Sequence, residues 1–316
     1  MKVFVSRLLP PDILQPLIDA GCSIDMYEED TECPHEEFLR RSRDADALLA
    51  QALDVIDEEL LDAAPGLKVI ACCSVGYDNV DVKAARSRDI VVCNAPAPDL
   101  IATTAEAAVA LLLSVAKRVT RLHIGQQTGD LPPYSVLQPM GLPIRERVSG
   151  IVGPGRIGGA IARIMRNGFG NSILYFSRSG KPGLEDALGA QRRDLDDLLA
   201  ESDFVFVVVP LTGATRNLLD QRNLQHLKRD AIVVNVARAG VIDDGALSRL
   251  LAEDRIFGAG LDVYDAEALR CRHPNLVLTA HMANGESKAM RATVELAVSN
   301  ITSVLEGEPP ISPVDE

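Results

Sequence analysis

Short apolar runs alternate with segments of helical spacing along the first hundred residues of the chain. The runs are rich in Val, Ile and Leu and short enough for strands, whereas the stretches between them repeat their apolar residues with helical spacing. Strands that alternate with helices pair in parallel, with helices over both faces of the sheet. The pattern therefore predicts a parallel α/β domain with strands at residues 2–6, 23–28, 47–50, 69–75 and 90–94.

A second series of apolar runs begins near residue 148 and ends near residue 281. Helical segments again separate the runs, and six strands connected in this way are typical of a complete doubly wound nucleotide-binding domain. The predicted strands of this second domain are residues 148–153, 172–177, 204–210, 231–237, 256–263 and 276–281.

Two longer helices are predicted outside these series. One covers residues 96–119, which open with two prolines, and the other begins at Glu286, after the last strand of the second domain. Because the second helix can return to the first domain, we predict a discontinuous domain of residues 1–98 and 284–316, interrupted by a domain of residues 99–283. One face of the helix in residues 96–119 gathers the apolar residues Ala105, Ala108, Leu111, Leu112 and Val115.

The composition suits two globular domains, since the chain has 316 residues and is 47% hydrophobic. With 32 basic and 45 acidic residues the net charge is −13, which disfavours a nucleic-acid partner. Ser6 and Arg7 interrupt the first apolar run, and no segment has the roughly 18 uninterrupted apolar residues of a membrane span, so we expect a cytoplasmic protein without a membrane partner. The six cysteines form no C-x-x-C pair, which predicts structural thiols.

Three glycines follow the first strand of the second domain at the spacing G-x-G-x-x-G. They are Gly153, Gly155 and Gly158, and a helical segment begins directly after them. Such glycines allow a tight turn and a close approach of a pyrophosphate to a helix N-terminus. Pro154 removes one backbone donor, but the amides of Arg156 and Ile157 remain, so the sequence predicts a dinucleotide site here.

The turn after the next strand indicates which dinucleotide is bound. A carboxylate at this place would hydrogen-bond a ribose 2′-hydroxyl and repel a 2′-phosphate. This chain instead has Ser177, Arg178 and Ser179, beginning 19 residues beyond Gly158. An arginine pairs bidentately with phosphate, and two hydroxyls can complete the contacts. We therefore predict NADPH as the preferred cofactor, with NADH possible but less preferred.

Ionisable residues follow the later strands, at the edge where an open α/β sheet binds its ligands. Arg238 follows one strand, Asp262, Asp265 and Glu267 follow the next, and His281 follows the last. In this order and context they resemble the D-isomer-specific 2-hydroxyacid dehydrogenases. The resemblance covers nearly the whole chain, including residues 74–81, 207–218 and 236–247.

This resemblance implies a role for each residue of the constellation. Arg238 would donate hydrogen bonds to substrate oxygens, and His281 would be the general acid in reduction and the base in oxidation. Glu267 would accept a hydrogen bond from the other ring nitrogen of His281 and favour its charged form. Asp262 would contact the nicotinamide amide. Hydride transfer needs no metal, and no Cys/His cluster has metal-binding spacing.

The resemblance also implies the fold and the remaining contacts. The expected architecture is α/β, with two doubly wound parallel-sheet domains: a Rossmann dinucleotide-binding domain inserted into a discontinuous flavodoxin-like substrate domain. The amides of Val75 and Gly76 would bind the substrate carboxylate, and Pro210 and Val236 would contact the cofactor. The active site would lie in a cleft between the domains, and a homodimer would use the connecting helix and residues 123–147.

The sequence departs from the family at two places. The family commonly has Pro-His followed by small residues and a threonine, whereas this chain reads AHMANGE at residues 280–286. The segment between Glu267 and His281 is also short for the family. Both departures lie beside the expected acid and put the substrate in question.

The sequence therefore favours a reductase of small 2-keto acids, similar to the glyoxylate and hydroxypyruvate reductases and their hydroxyphenylpyruvate-reducing relatives, that forms D-2-hydroxy acids. Two alternatives stay open at this point. One is a cofactor-sensing regulatory scaffold similar to the co-repressors of this fold. The other is an oxidative dehydrogenase of a sugar-derived or phosphorylated 2-hydroxy acid.

Overall fold

A computed structural model describes residues 1–131, 136 and 141–314 of the chain. The chain divides into two compact units, of which unit 1 is Met1–Leu100 with Glu286–Glu316 and unit 2 is Ile101–Gly285. The domain boundaries expected from the sequence lie two residues before each of these junctions. Part of the expected dimer segment, residues 132–135 and 137–140, lies outside the described residues, as do residues 315–316.

Unit 1 contains a five-stranded parallel sheet in the order β2-β1-β3-β4-β5, which is the flavodoxin-like order of a doubly wound fold. The strands are β1 (Lys2–Val5), β2 (Ser23–Met26), β3 (Ala47–Ala50), β4 (Val69–Cys72) and β5 (Val91–Cys93). A 3-10 turn (Pro11–Leu14) and four helices connect them: α1 (Gln15–Asp19), α2 (His35–Ser42), α3 (Glu58–Ala63) and α4 (Val82–Arg86).

Helix α5 (Pro98–Ala116) begins in unit 1 and continues in unit 2, where α6 (Val119–Thr128) follows it. Among the described residues, α5 alone is long and apolar enough by length and composition to cross a membrane, but half of its most apolar stretch is buried. Its predicted apolar face packs into the core of unit 2 against residues of the sheet such as Phe204 and Val234. We therefore interpret α5 as a core helix.

Unit 2 contains a seven-stranded parallel sheet in the order β12-β11-β10-β9-β6-β7-β8. This is the Rossmann order with one additional strand at the end. Its strands are β6 (Val148–Val152), β7 (Ser172–Phe176), β8 (Gln191–Arg192), β9 (Phe204–Val207), β10 (Ile232–Asn235), β11 (Gly258–Leu261) and β12 (Leu276–Leu278). Its further helices are α7 (Arg156–Phe169), α8 (Pro182–Leu188), α9 (Leu195–Glu201), α10 (Gln221–Leu224), α11 (Asp244–Ala252) and α12 (Ala266–Arg270).

The central strands of unit 2 are apolar on both faces because helices cover both sides of the sheet. In β9, Phe204 and Phe206 belong to one core cluster, and Val205 and Val207 belong to the other. The prediction of six strands was nevertheless wrong by one. Strand β8 has only two residues, both polar and exposed at the edge of the sheet, so it leaves no apolar run in the sequence.

The last helix, α13 (Ser287–Leu305), packs on the unit 1 sheet, as its position after β12 suggested. Val298 and Ile301 of this helix share a core cluster with residues of β1, β3 and β4. The chain then runs antiparallel along β5, where the amide of Val314 donates to the Val92 carbonyl at 2.9 Å. Unit 1 is therefore built from both ends of the chain.

Candidate active site

The turn between β6 and α7 accepts only glycine at two of its three motif positions. Gly153 has φ of +96°, and a Cβ there would lie 2.6 Å from Val209 Cγ1. A Cβ at Gly158 would collide with the Gly153 carbonyl oxygen and lie 2.9 Å from Ile151 Cγ2. At Gly155, by contrast, a Cβ would meet no atom of the described residues within 4 Å. Gly155 therefore faces open space, into which a ligand can approach the backbone.

The first turn of α7 presents backbone donors beside this space. The first intrahelical bond of this end runs from the Gly159 amide to the Gly155 carbonyl at 2.8 Å, so the amides of Arg156 and Ile157 precede any intrahelical acceptor. Gly155 is the N-cap residue and has no side chain to cap them. Because the helix N-terminus also attracts anions, these residues fit the pyrophosphate of a dinucleotide.

The turn after β7 carries the arginine that the sequence predicted for a 2′-phosphate. Arg178 and Ser179 are exposed, and Ser177 is half-buried. The Ser177 hydroxyl donates to the Ser179 carbonyl and so closes the turn. Across the described part of the chain, the Arg178 guanidinium has neither a hydrogen-bond acceptor nor an ion-pair partner. Its charge is therefore available to a ligand.

A second arginine, which the sequence analysis did not single out, holds this turn. Arg192 in β8 donates from Nε to the Ser177 carbonyl and from Nη2 to the Arg178 carbonyl, each at 3.1 Å. The two arginines are 14 positions apart in the chain. Only the pairing of β7 with β8 brings them together, and the sequence pattern did not reveal β8.

Three ionisable residues lie just beyond the carboxyl ends of the neighbouring strands β10, β11 and β12. They are Arg238, Asp262 and His281, and backbone hydrogen bonds connect their segments. The Asp262 amide donates to the Asn235 carbonyl and the His281 amide donates to the Asp262 carbonyl, both at 2.9 Å. His281 has φ of +53°, a left-handed conformation that non-glycine residues adopt mainly where their surroundings enforce it.

The Asp262 carboxylate holds the loop that carries His281. It accepts hydrogen bonds from the Thr279 hydroxyl at 2.6 Å, the Met282 amide at 2.9 Å and the Ala283 amide at 3.0 Å. Its side chain is 2% exposed. Three donors occupy most of the acceptor capacity of one carboxylate. Asp262 therefore positions the histidine loop, and its contact with the nicotinamide amide stays a prediction.

Glu267 lies in the first turn of α12, which packs beside α11. Its amide donates to the N-cap carboxylate of Asp265 at 2.8 Å, and its own carboxylate lies against Gly245, where any Cβ would collide with it. The neighbouring Asp244 accepts the Asp265 amide at 2.7 Å. The pKa of Asp244 is raised to about 6, mainly because the carboxyl group is buried and in smaller part because negatively charged carboxylates lie nearby.

The predicted substrate loop follows β4 in unit 1. The Val75 carbonyl accepts from Asn94 Nδ2 at 2.7 Å, and the Gly76 carbonyl accepts from the Ser74 hydroxyl. Both carbonyls are thus fixed by side chains, while the amides of Val75 and Gly76 have no acceptor among the described residues. A loop with fixed carbonyls and two available amides suits a carboxylate ligand.

The two remaining predicted cofactor residues follow central strands of unit 2. Pro210 is exposed after β9, and its carbonyl accepts from the Thr215 hydroxyl. Val236 is buried after β10. Strand β9 is the neighbour of β6, so Pro210 belongs to the same sheet edge as the glycine turn. Within residues 1–131, 136 and 141–314, no group of three His, Cys, Asp or Glu side chains is arranged to hold a metal.

Comparisons with known proteins agree with this fold. Residues 109–283 match the family described as D-isomer specific 2-hydroxyacid dehydrogenase, NAD binding domain. A glyoxylate reductase of Thermococcus kodakarensis is 39% identical, over 98% of this chain and 94% of the relative. A solved protein of Thermus thermophilus superposes with a TM-score of 0.90 at 38% identity, covering 100% of both chains. The NADPH-dependent glyoxylate/hydroxypyruvate reductase of Sinorhizobium meliloti was solved with NADP and malonate. It superposes with a TM-score of 0.84 at 29% identity, covering 99% of this chain and 96% of the reductase chain.

The glycine turn and the ionisable residues at the carboxyl ends of the unit 2 strands define a dinucleotide-dependent α/β enzyme. The family match and the relatives aligned over nearly their whole length identify the enzyme class more closely. The chain belongs to the D-isomer specific 2-hydroxyacid dehydrogenase family, and it is a nicotinamide-dependent oxidoreductase that reduces 2-keto acids to 2-hydroxy acids. The resemblance seen in the sequence is confirmed, and the family favours an enzyme over a regulatory scaffold.

Proposed function

We propose that this enzyme reduces small 2-keto acids of the glyoxylate and hydroxypyruvate type to D-2-hydroxy acids and prefers NADPH. The curated relative from Thermococcus kodakarensis is named a glyoxylate reductase, and the Sinorhizobium meliloti structure contains NADP. The turn after β7 carries the argument for the cofactor preference. Arg178 has no partner there among the described residues, and residues 177–180 include no carboxylate. An arginine at this place pairs with a 2′-phosphate, which a carboxylate would repel.

The proposed chemistry assigns one role to each member of the constellation. Bound NADPH supplies the hydride to the keto carbon of the substrate. His281 donates its proton to the carbonyl oxygen, so that the product carries a neutral hydroxyl group. Arg238 donates hydrogen bonds to the substrate oxygens and fixes their orientation. Glu267 accepts from the second ring nitrogen of His281, which stabilises the protonated imidazole before transfer.

The amides of Val75 and Gly76 bind the substrate carboxylate in this proposal. Backbone donors make no demand on the rest of the substrate, so they accept any 2-keto acid that is small enough to enter. The proposed dinucleotide contacts are Gly153, Gly155, Arg156, Ile157, Gly158, Ser177, Arg178, Ser179, Pro210, Val236 and Asp262.

We also propose that the enzyme is a cytoplasmic homodimer. Helix α6 exposes the aliphatic side chains of Val119, Leu122 and Ile124 within six positions. A second copy of the chain would cover them. Light scattering should give twice the chain mass of 34.0 kDa, and the double variant with Leu122→Glu and Ile124→Glu should give the single mass.

The deciding experiment compares catalytic efficiency with NADPH and NADH at equal concentrations, with glyoxylate and with hydroxypyruvate as substrates. We expect a preference for NADPH of tenfold or more, which corresponds to roughly 1.4 kcal/mol. Arg178→Met should remove most of this preference, whereas Arg222→Met, which alters an exposed arginine on α10, should keep it. Preference for NADH would overturn the cofactor assignment, and no turnover of either acid with either cofactor would overturn the substrate class.

A further inference from the structure

Arg192 and Arg193 are neighbours in sequence, but their guanidinium groups have different surroundings. Arg193 donates from Nε to a carboxylate oxygen of Glu201 at 3.0 Å and from Nη2 to the Gln191 side chain at 2.9 Å. Its charge is therefore compensated by an ion pair at the surface. For Arg192, no carboxylate lies within ion-pair distance anywhere in the described chain.

Arg192 binds the backbone of the phosphate turn instead. Its two hydrogen bonds, to the carbonyls of Ser177 and Arg178, use two nitrogens of one planar group. A carbonyl oxygen carries partial negative charge that would repel a phosphate, and a hydrogen bond from a guanidinium offsets that charge. Arg192 engages two consecutive carbonyls and turns them toward β8.

The other end of the turn is held independently. The Tyr175 hydroxyl donates to the Glu185 carboxylate and accepts the Lys181 amide at 2.9 Å. Residues 177–180 thus run between two fixed points, one at the Tyr175 hydroxyl and one at the Arg192 guanidinium. The Arg192 contact is the one that reaches Arg178 itself.

We propose that Arg192 is a positioning residue that selects a dinucleotide with a 2′-phosphate. It fixes the backbone of Ser177 and Arg178 so that the Arg178 side chain projects toward the phosphate, and it adds a second uncompensated positive charge beside the turn. A dianionic phosphate bound at this turn would balance both positive charges. The inference rests on the proposed NADPH preference and extends it to a residue on another strand.

The test measures binding of two fragments, without turnover. Isothermal titration calorimetry with 2′,5′-ADP and with 5′-AMP separates recognition of the 2′-phosphate from recognition of the remaining nucleotide. Arg192→Met should weaken the binding of 2′,5′-ADP by about tenfold, because one set of charge-assisted contacts is lost. The affinity for 5′-AMP should change by less than about twofold. The matched control Arg193→Met, which removes an equal charge one residue away, should leave both affinities within about twofold.

Arg192→Lys distinguishes positioning from charge. A lysine keeps the positive charge but lacks the planar fork that donates to two carbonyls at once. We expect Arg192→Lys to bind 2′,5′-ADP at least about fivefold more weakly than the unaltered enzyme does. Full affinity in Arg192→Lys would overturn the positioning role in favour of charge alone, and an equal loss in Arg193→Met would overturn it in favour of a general surface effect.

The unaltered enzyme separates failure of this inference from failure of the proposed function. If it binds 2′,5′-ADP no more tightly than 5′-AMP, the proposed NADPH preference is wrong and the role of Arg192 falls with it. If it discriminates between the fragments and Arg192→Met discriminates equally well, only the role of Arg192 is wrong. Thermal midpoints of the three variants, measured alongside, verify that the substitutions at Arg192 and Arg193 have not altered the fold.

Discussion

Thr279 donates its hydroxyl hydrogen to Asp262 at 2.6 Å, two residues before His281, and Asp262 also accepts the amides of Met282 and Ala283 on the far side of the histidine. One buried carboxylate thus holds both flanks of the proposed acid. We expect Asp262→Asn to lose one or two of these bonds, because an amide nitrogen would face a backbone donor. The free energy of unfolding should fall by about 1–3 kcal/mol, and kcat should fall with it.

Thr279→Val provides the graded control for this prediction, since it removes a single hydrogen bond and leaves the two backbone amides in place. Its loss of unfolding free energy should be about 1 kcal/mol. Urea unfolding and keto-acid turnover measure both variants. If Asp262→Asn weakened cofactor binding while the stability of the free enzyme stayed unchanged, Asp262 would act on the nicotinamide and not on the loop.

Replacement of His281 by alanine should remove most keto-acid reduction and leave dinucleotide affinity nearly unchanged. General acid catalysis contributes typically about 10²- to 10⁴-fold, and the loss of kcat should lie in that range. His226→Ala is the control, because His226 lies near Asp196 on the surface, with 3.7 Å between the side chains, and has no place in the proposed chemistry. Turnover by His281→Ala at the unaltered rate would remove the histidine from the mechanism.

Two variants of the glycine turn should separate an effect on stability from an effect on dinucleotide binding. Gly158→Ala should lower stability by about 1–3 kcal/mol, because its Cβ collides with the Gly153 carbonyl oxygen inside a packed turn. Gly155→Ala should cost at most about 1 kcal/mol, through the weaker N-cap preference of alanine. Its methyl group projects into the space assigned to the pyrophosphate, so dinucleotide affinity should nevertheless fall.

Thermal unfolding and fluorescence titration with NADPH measure the two effects separately. Gly155→Ala should lose little stability, so a loss of its NADPH affinity would reflect the folded binding site and not unfolding. If Gly155→Ala bound NADPH as tightly as the unaltered enzyme, the open space above this glycine would not be the pyrophosphate site.

Asp244 predicts a pH dependence of stability. Its pKa is raised from 3.8 to about 6 in the folded chain, with burial as the main cause, so the folded state holds the proton more tightly than the unfolded state does. Folding is therefore most favoured by this group below its unfolded pKa, and its contribution becomes unfavourable as pH rises from about 4 to 6. Asp244→Asn keeps an acceptor for the Asp265 amide and removes the charge.

At pH 7 we expect Asp244→Asn to be more stable than the unaltered enzyme, by no more than about 3 kcal/mol. The difference should shrink as the pH is lowered toward 5. Urea unfolding between pH 5 and 8 measures this, and Asp197→Asn, at an exposed position of α9, serves as the control. A constant difference across this range would contradict the assignment to Asp244.

The central strands of both sheets were predicted because helices cover both faces there, which makes strands such as β3, β4 and β9 continuous apolar runs. Strand β8 has no such signature, since it pairs with β7 along one edge only and exposes both of its residues. The role of Arg192 was hidden for the same reason. A contact between residues 14 or 15 positions apart needs the strand pairing, and the pairing left no pattern in the sequence.

The ionisable residues were found in the sequence because each follows a strand, and parallel strands end at one edge of the sheet. The contacts that support these residues were not predicted. Asp262 lies at a position for which the family resemblance already implied a role, but its bonds to residues 279–283 depend on how the loop after β12 folds back. Gly245 and Asp244 likewise matter only because α11 lies beside α12, a relationship between helices that hydropathy does not encode.

The antiparallel pairing of Pro313 with Cys93 covers the outer edge of β5. Uncovered edges of apolar strands are templates on which other chains add strands, and this edge would otherwise present the carbonyl of Val92 and the amide of Asn94. Asn300 secures the covering segment by accepting the Ser312 amide at 2.9 Å. Residues 312–314 thus protect the protein against intermolecular sheet growth, and an alteration there should change its tendency to aggregate before it changes catalysis.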